Sequence, residues 1–110
     1  MTERINSFQP VIHELKIDAE YLHEIQVDTK RFEVRKDDRD YQPNDFLMLR
    51  TYGRKSKTYD YSWSLVQITG VFGRFEGERE LIRPGYVILS VQKITEGDDE
   101  YDLTMPSLPR

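Results

Sequence analysis

A chain of 110 residues, 37% hydrophobic and 33% charged, is long enough for one domain with a real core and leaves little for a second. Cysteine is absent, which excludes disulfides, thiolate metal centres and cysteine nucleophiles and makes a reducing, cytoplasmic setting the expectation. A net charge of −4 argues against indiscriminate coating of DNA, which needs surplus Lys and Arg to displace counterions.

Residues 1–10 show little periodicity and carry acid and polar groups where a signal peptide needs an apolar stretch, so they are expected to form a flexible N-terminus. VIHELKI at 11–17 alternates as a strand, with Val11, His13, Leu15 and Ile17 on one side and Ile12, Glu14 and Lys16 on the other. Asp18 then makes a good helix N-cap. Tyr21, Leu22 and Ile25 recur at helical spacing behind it, predicting a short amphipathic helix of about ten residues. After a turn at Asp28 and Thr29, RFEVR alternates again; the usual reading buries Phe32 and Val34 and leaves Arg31, Glu33 and Arg35 on the opposite face. The polar connection KDDRDYQPND, with Pro43 and Asn44 as turn residues, leads into a strand at DFLMLR.

A polar loop, YGRKSKTYDY, separates that strand from the β-rich SWSLVQITGVFGRF, where Leu65, Val66, Ile68, Val71 and Phe72 suit a core and Gly70 and Gly73 point to a bulge or sharp bend. After a second polar excursion, GYVILSVQKI at 85–94 is the most hydrophobic strand and is expected in a central position. The order β, α, then β throughout predicts an α+β domain over 11–95, a twisted β-barrel of about five or six strands with one or two short helices. Residues 96–110 form an acidic tail, expected to be mobile. Its segment 96–102 holds five acids and no base, so without it the net charge of −4 becomes +1. The simpler reading of the tail is a solubilising one. No apolar run approaches the roughly 18 residues of a membrane span, so no membrane partner is expected.

Two stretches carry candidate chemistry. KRFEVRKDDRD at 30–40 puts nine charged side chains into eleven positions. Glu33 and Arg35, two apart on a strand, project from one face, and Lys30 enters from the preceding turn, so the three can converge on one cleft. Lys30 and Arg35 suit a phosphate or a carbonyl, while Glu33 can accept hydrogen bonds from a nucleobase amino group or transfer a proton. By spacing alone, ion pairs on a solvated face are the better account of the pattern. In RTYGRKSKTYDYSW at 50–63, Arg50, Arg54, Lys55 and Lys57 precede the first acid and are interleaved with Tyr52, Tyr59, Tyr61 and Trp63. Cations for phosphates beside rings for bases are what single-stranded nucleic acid requires, although strand aromatics and a hairpin tip explain the stretch as simply. His13 on the apolar side reads as a hydrogen-bonded core histidine, and His23 has no neighbouring ligand pattern, so no metal is expected.

In order and spacing, HELKI, the short helix, KRFEVRKDDRD, DFLMLR and GYVILSV resemble the ASCH domain of the PUA-like superfamily over residues 12–94, and within it a small subfamily common in phage and prophage genomes. The family's G-x-K-x-x-E-x-R motif corresponds to Asp28, Lys30, Glu33 and Arg35, with Asp28 in place of the glycine. Asn44 stands where a second glycine is usual, and the resemblance places both residues in left-handed turns. It also implies a ligand-binding cleft of Lys30, Glu33 and Arg35, joined by His13, Lys16 and Arg39 where this subfamily keeps polar residues. The implied ligand is RNA or a modified nucleotide, with no cofactor. Some compact relatives are amidohydrolases that deacetylate N4-acetylcytidine with a Lys, a Thr three residues later and a Glu on another strand. Lys30 matches the Lys but Glu33 stands at the Thr position, so a hydrolase here would run on Lys30 and Glu33 with water as an acid/base pair; Glu76 and Glu78 are available downstream for the third group. A third reading is a phage host-interaction protein without a nucleic-acid ligand, for which the sequence names no partner.

Overall fold

A computed structural model describes Arg4, Asn6, residues 9–53 and residues 58–97, with backbone only at 52–53 and 58–61. The elements run β1 (Ile12–Ile17), α1 (Ala19–Gln26), β2 (Phe32–Lys36), β3 (Phe46–Gly53), β4 (Thr58–Phe72), α2 (Glu76–Arg79) and β5 (Tyr86–Gly97). The five strands form one sheet in the order β1-β3-β4-β5-β2, parallel between β1 and β3 and antiparallel at the other three junctions. The sheet curls into a half-barrel, in keeping with the expected α+β twisted barrel. Among the described residues, no helix is long and apolar enough to cross a membrane.

The hydrophobic core fills the concave side. Leu15 and Ile17 of β1, Leu47 and Leu49 of β3, Val66 and Ile68 of β4, and Val87, Leu89 and Val91 of β5 point inward onto Leu22 and Ile25 of α1. Strand periodicity of two and helical spacing of three thus meet in one cluster. A smaller cluster of Phe46, Met48, Trp63 and Leu65, with Ile12 against it, lies on the opposite face of the sheet.

Curling is built into the two longest strands. Along the β4–β5 ladder, Ile68 faces Val91 but Gly70 faces Ser90, leaving Thr69 as an extra residue; Ile94 is the corresponding extra residue on β5. Such bulges increase local twist and bend the strand. At the first of them Gly70 lets Ser90 approach closely: a Cβ on residue 70 would stand 2.9 Å from Ser90 Oγ and turn that hydroxyl aside. Gly73 adopts φ +123°, and a Cβ there would collide with Ile82 Cδ1. β5 is an interior strand but not the middle one. That place belongs to β4, whose greater length spans both neighbours.

Both turn positions foreseen as left-handed are so: Asp28 has φ 65° and Asn44 φ 77°. At the end of α1, Asp28 reverses the chain so that the N–H groups of Thr29 and Lys30 both donate to the Glu24 carbonyl, at 2.9 and 3.1 Å. This satisfies a helix-end acceptor and turns residue 30 back beside the helix.

The faces of β2 are the reverse of the expectation. Phe32 and Val34 are 46% and 53% exposed, whereas Glu33 is only 3% exposed. The ladder gives the reason: Glu33 lies opposite Leu89 and Arg35 opposite Val87, both inward-facing, while Phe32 and Val34 lie opposite Ser90 and Ile88. Directly paired residues share a face, so the register with β5 overrides the apolar preference of Phe and Val.

Candidate functional site

β1 and β2 are the two edge strands, and the half-barrel opens between them. Arg35 spans the opening, donating from Nη2 to the Lys16 carbonyl at 2.9 Å. Beside this bridge lies a cleft of about 830 Å³, walled by the end of β1 (Lys16, Ile17), α1 (Tyr21, Glu24), the turn (Thr29, Lys30) and β2 through Arg35. Its volume is within the roughly 300–1,000 Å³ of small-molecule sites.

Glu33 is the centre of the cleft. Its Oε1 accepts from Lys30 Nζ at 3.1 Å and its Oε2 from Arg35 Nε at 2.9 Å. One cation on each oxygen offsets the cost of burying the carboxylate, which would otherwise be severe. Arg35 Nη2 also stands 2.9 Å from Oε2, so the acceptor capacity left for a ligand lies chiefly on Oε1. Lys30 Nζ also stands 4.6 Å from the Tyr21 ring centroid and 5.5 Å from that of Phe32, within cation–π range. Tyr21 is 45% exposed, so both rings present area at the mouth. The outward Phe32, a departure from the expected core role, thereby becomes part of the site.

A second cavity of about 340 Å³ adjoins the first and shares Lys16 and Arg35 with it. Lys36, Asp38 and Arg39 supply its other charged walls, with Glu14 and Tyr41. The loop that bears them is fastened from both sides. Arg74 donates to the Tyr41 carbonyl at 2.6 Å and pairs with Asp37 at 2.8 Å, and Arg4 reaches the Asp40 carbonyl at 3.1 Å. The hydrogen bond to Asp37 raises the Arg74 pKa, and the Gln42 amide lowers that of Asp40.

Behind this loop sits a buried hub that the sequence did not disclose. Asp45 is fully buried. Its oxygens accept from both terminal nitrogens of Arg4 at 2.8 and 2.6 Å, from the amides of Val11 and Gln42 at 3.1 Å each, and from His13 Nε2 at 2.9 Å. Burial pushes the carboxyl pKa up, but the hydrogen bonds from Arg4, His13 and the two amides outweigh it and hold the group below its ordinary value. Arg4, from the segment expected to lie outside the core, is therefore bonded into it.

The remaining expectations divide. Lys30, Glu33 and Arg35 converge, Lys16 lines both cavities, and Arg39 lines the second. His13 is a correction as a ligand-binding residue: it is 4% exposed, bonded to Asp45 and 4.9 Å from the Tyr41 ring, and its core reading holds. Trp63 is a correction as a nucleic-acid contact, because at 7% exposure among Phe46, Met48 and Leu65 its ring has no face to offer a base. Arg50 pairs in register with Lys16 on β1 but lines neither cavity. Arg54, Lys55, Lys57, the side chains of Tyr52, Tyr59 and Tyr61, and the tail from residue 98 lie outside the described residues. Glu78 accepts the Gly73 N–H at 2.8 Å, a structural role in the turn before α2. Among the described residues no group of His, Asp and Glu forms a metal-ligand cluster.

Fold and site together define an α+β half-barrel with a charged, ring-edged cleft between its edge strands. Residues 12–91 match the family described as Domain of unknown function (DUF3850), and the chain belongs to that family. No curated protein matches it.

Proposed function

We propose that the protein is a non-catalytic module that binds RNA or a modified nucleotide by seating a base in the cleft between β1 and β2. The observation that carries this reading is the buried Glu33 carboxylate, bonded to Lys30 and Arg35 beneath two half-exposed rings. A buried acceptor flanked by donors suits the polar edge of a base, and Tyr21 or Phe32 suits its face. Stacking of this kind contributes about 1–3 kcal/mol per base. The cluster carries two cations to one anion, in keeping with a ligand that brings negative charge.

Fluorescence anisotropy with a short labelled single-stranded RNA at fixed salt tests the proposal. Lys30→Ala and Arg35→Ala should each weaken binding by about tenfold and flatten its salt dependence. Tyr21→Ala, at a half-exposed position, should weaken it with little change in the salt slope. Binding absent from the parent protein, or equal in all variants, rejects the reading.

The 3.1 Å contact between Lys30 and Glu33 favours one alternative, a hydrolase in which this pair moves protons for an attacking water. Incubation with saturating N4-acetylcytidine followed by mass spectrometry decides it: released cytidine supports the hydrolase, and intact substrate removes it.

A further inference from the structure

The second cavity differs from the cleft in chemistry as well as size. Its walls bear Lys16, Arg35, Lys36 and Arg39 against Glu14 and Asp38, a surplus of two positive charges. Its aromatic residue, Tyr41, is 1% exposed and offers no face for stacking. Such a cavity is poorly made for a base and well made for an anion. It is also directly continuous with the base cleft, because Lys16 and Arg35 form a wall of each. Lys36 ends β2, and the loop that follows is held by Arg74 and Arg4, so the backbone that bears Arg39 needs little ordering when a ligand arrives.

We infer that the two cavities are subsites of one ligand: the base occupies the cleft and its phosphate occupies the second cavity, so the recognised unit is a nucleotide and not a free nucleoside. The inference rests on the base-binding reading and adds to it the substrate class. Arg35 is the pivot, with Nε and Nη2 both 2.9 Å from Glu33 Oε2 at the base end and Nη2 also on the Lys16 carbonyl at the strand edge. A phosphate bound beside it meets guanidinium and ammonium donors from β1, β2 and the following loop, which fixes the distance between base and phosphate.

Isothermal titration calorimetry at constant ionic strength tests this with the four ribonucleosides, their 5′- and 3′-monophosphates, and inorganic phosphate. At least one monophosphate is expected to bind about tenfold or more tightly than its nucleoside. The double variant K36A/R39A, which leaves Lys16 and Arg35 in place, should remove most of that monophosphate's advantage over its nucleoside. The double variant R79A/R83A, which removes two exposed cations outside both cavities, should retain the advantage and so controls for overall charge. Circular dichroism melts verify that the variants are folded. Equal affinity for a nucleoside and its monophosphates overturns the second subsite while leaving the base site standing, and so does a phosphate advantage that K36A/R39A leaves undiminished. If nothing binds, or if inorganic phosphate binds as well as any nucleotide, the base-binding reading fails and the inference with it.

Discussion

Glu33 shows how one side chain can serve two ends. It occupies a position where the half-barrel interior is otherwise apolar, opposite Leu89, and its ion pairs with Lys30 and Arg35 keep that position tolerable. Glu33→Gln keeps the shape and removes the charge, leaving two cations crowded without a counterion. Urea denaturation should show a loss of about 1–3 kcal/mol. Asp45 is the stability counterpart. Its folded pKa lies below the unfolded value, so its contribution is complete above the unfolded pKa of about 3.9 and is lost as pH falls through the folded value. Asp45→Asn should cost about 3 kcal/mol at neutral pH, and melts at stepped pH should show the gap from the parent narrowing below about pH 4. Neither role was legible from the residue itself. Asp45 reads as a strand-entry polar residue because its partners, Arg4 and His13, lie 41 and 32 positions away. The charge run at 30–40 was legible as a candidate site, and most of its members have now separated into distinct duties: Lys30, Glu33 and Arg35 in the cleft, Asp37 and Asp40 tying the loop, and Arg31 paired with Asp28.

At the scale of elements, hydrophobic period and turn chemistry carried most of the information. Alternation located β1, apolar β-rich runs located β3, β4 and β5, and Asp18 occupies the N-cap of α1, although its side chain makes no cap hydrogen bond. The face of β2 was not legible. A five-residue strand with two apolar residues has too little pattern to resist the register that β5 imposes, and its inward positions carry the site instead of the core. Left-handed backbone gives two tests here. Asn44→Ala should cost about 1–2 kcal/mol, whereas Asn44→Gly should be within about 0.5 kcal/mol of the parent, as chemical denaturation can resolve. Gly73→Ala combines positive φ with a clash against Ile82 and should cost more, about 2 kcal/mol or above.

For the molecule as a whole, the decisive feature is incompleteness. β1 and β2 do not close the barrel; Arg35 bridges them by one hydrogen bond, and both cavities lie along that opening. The barrel class followed from element order, but the opening did not, because it depends on which strands end at the edges. The basic and aromatic stretch at 50–63 competed with β2 in the sequence, and the burial of Trp63 weakens its claim. The two locations are separable by experiment. An amide chemical-shift titration with a short single-stranded RNA should perturb residues 16–18, 21–24 and 29–36 together, and Lys30→Ala with Arg35→Ala should abolish the response. Shifts confined to β3 and β4, or none at saturating RNA, would contradict the cleft as the binding site.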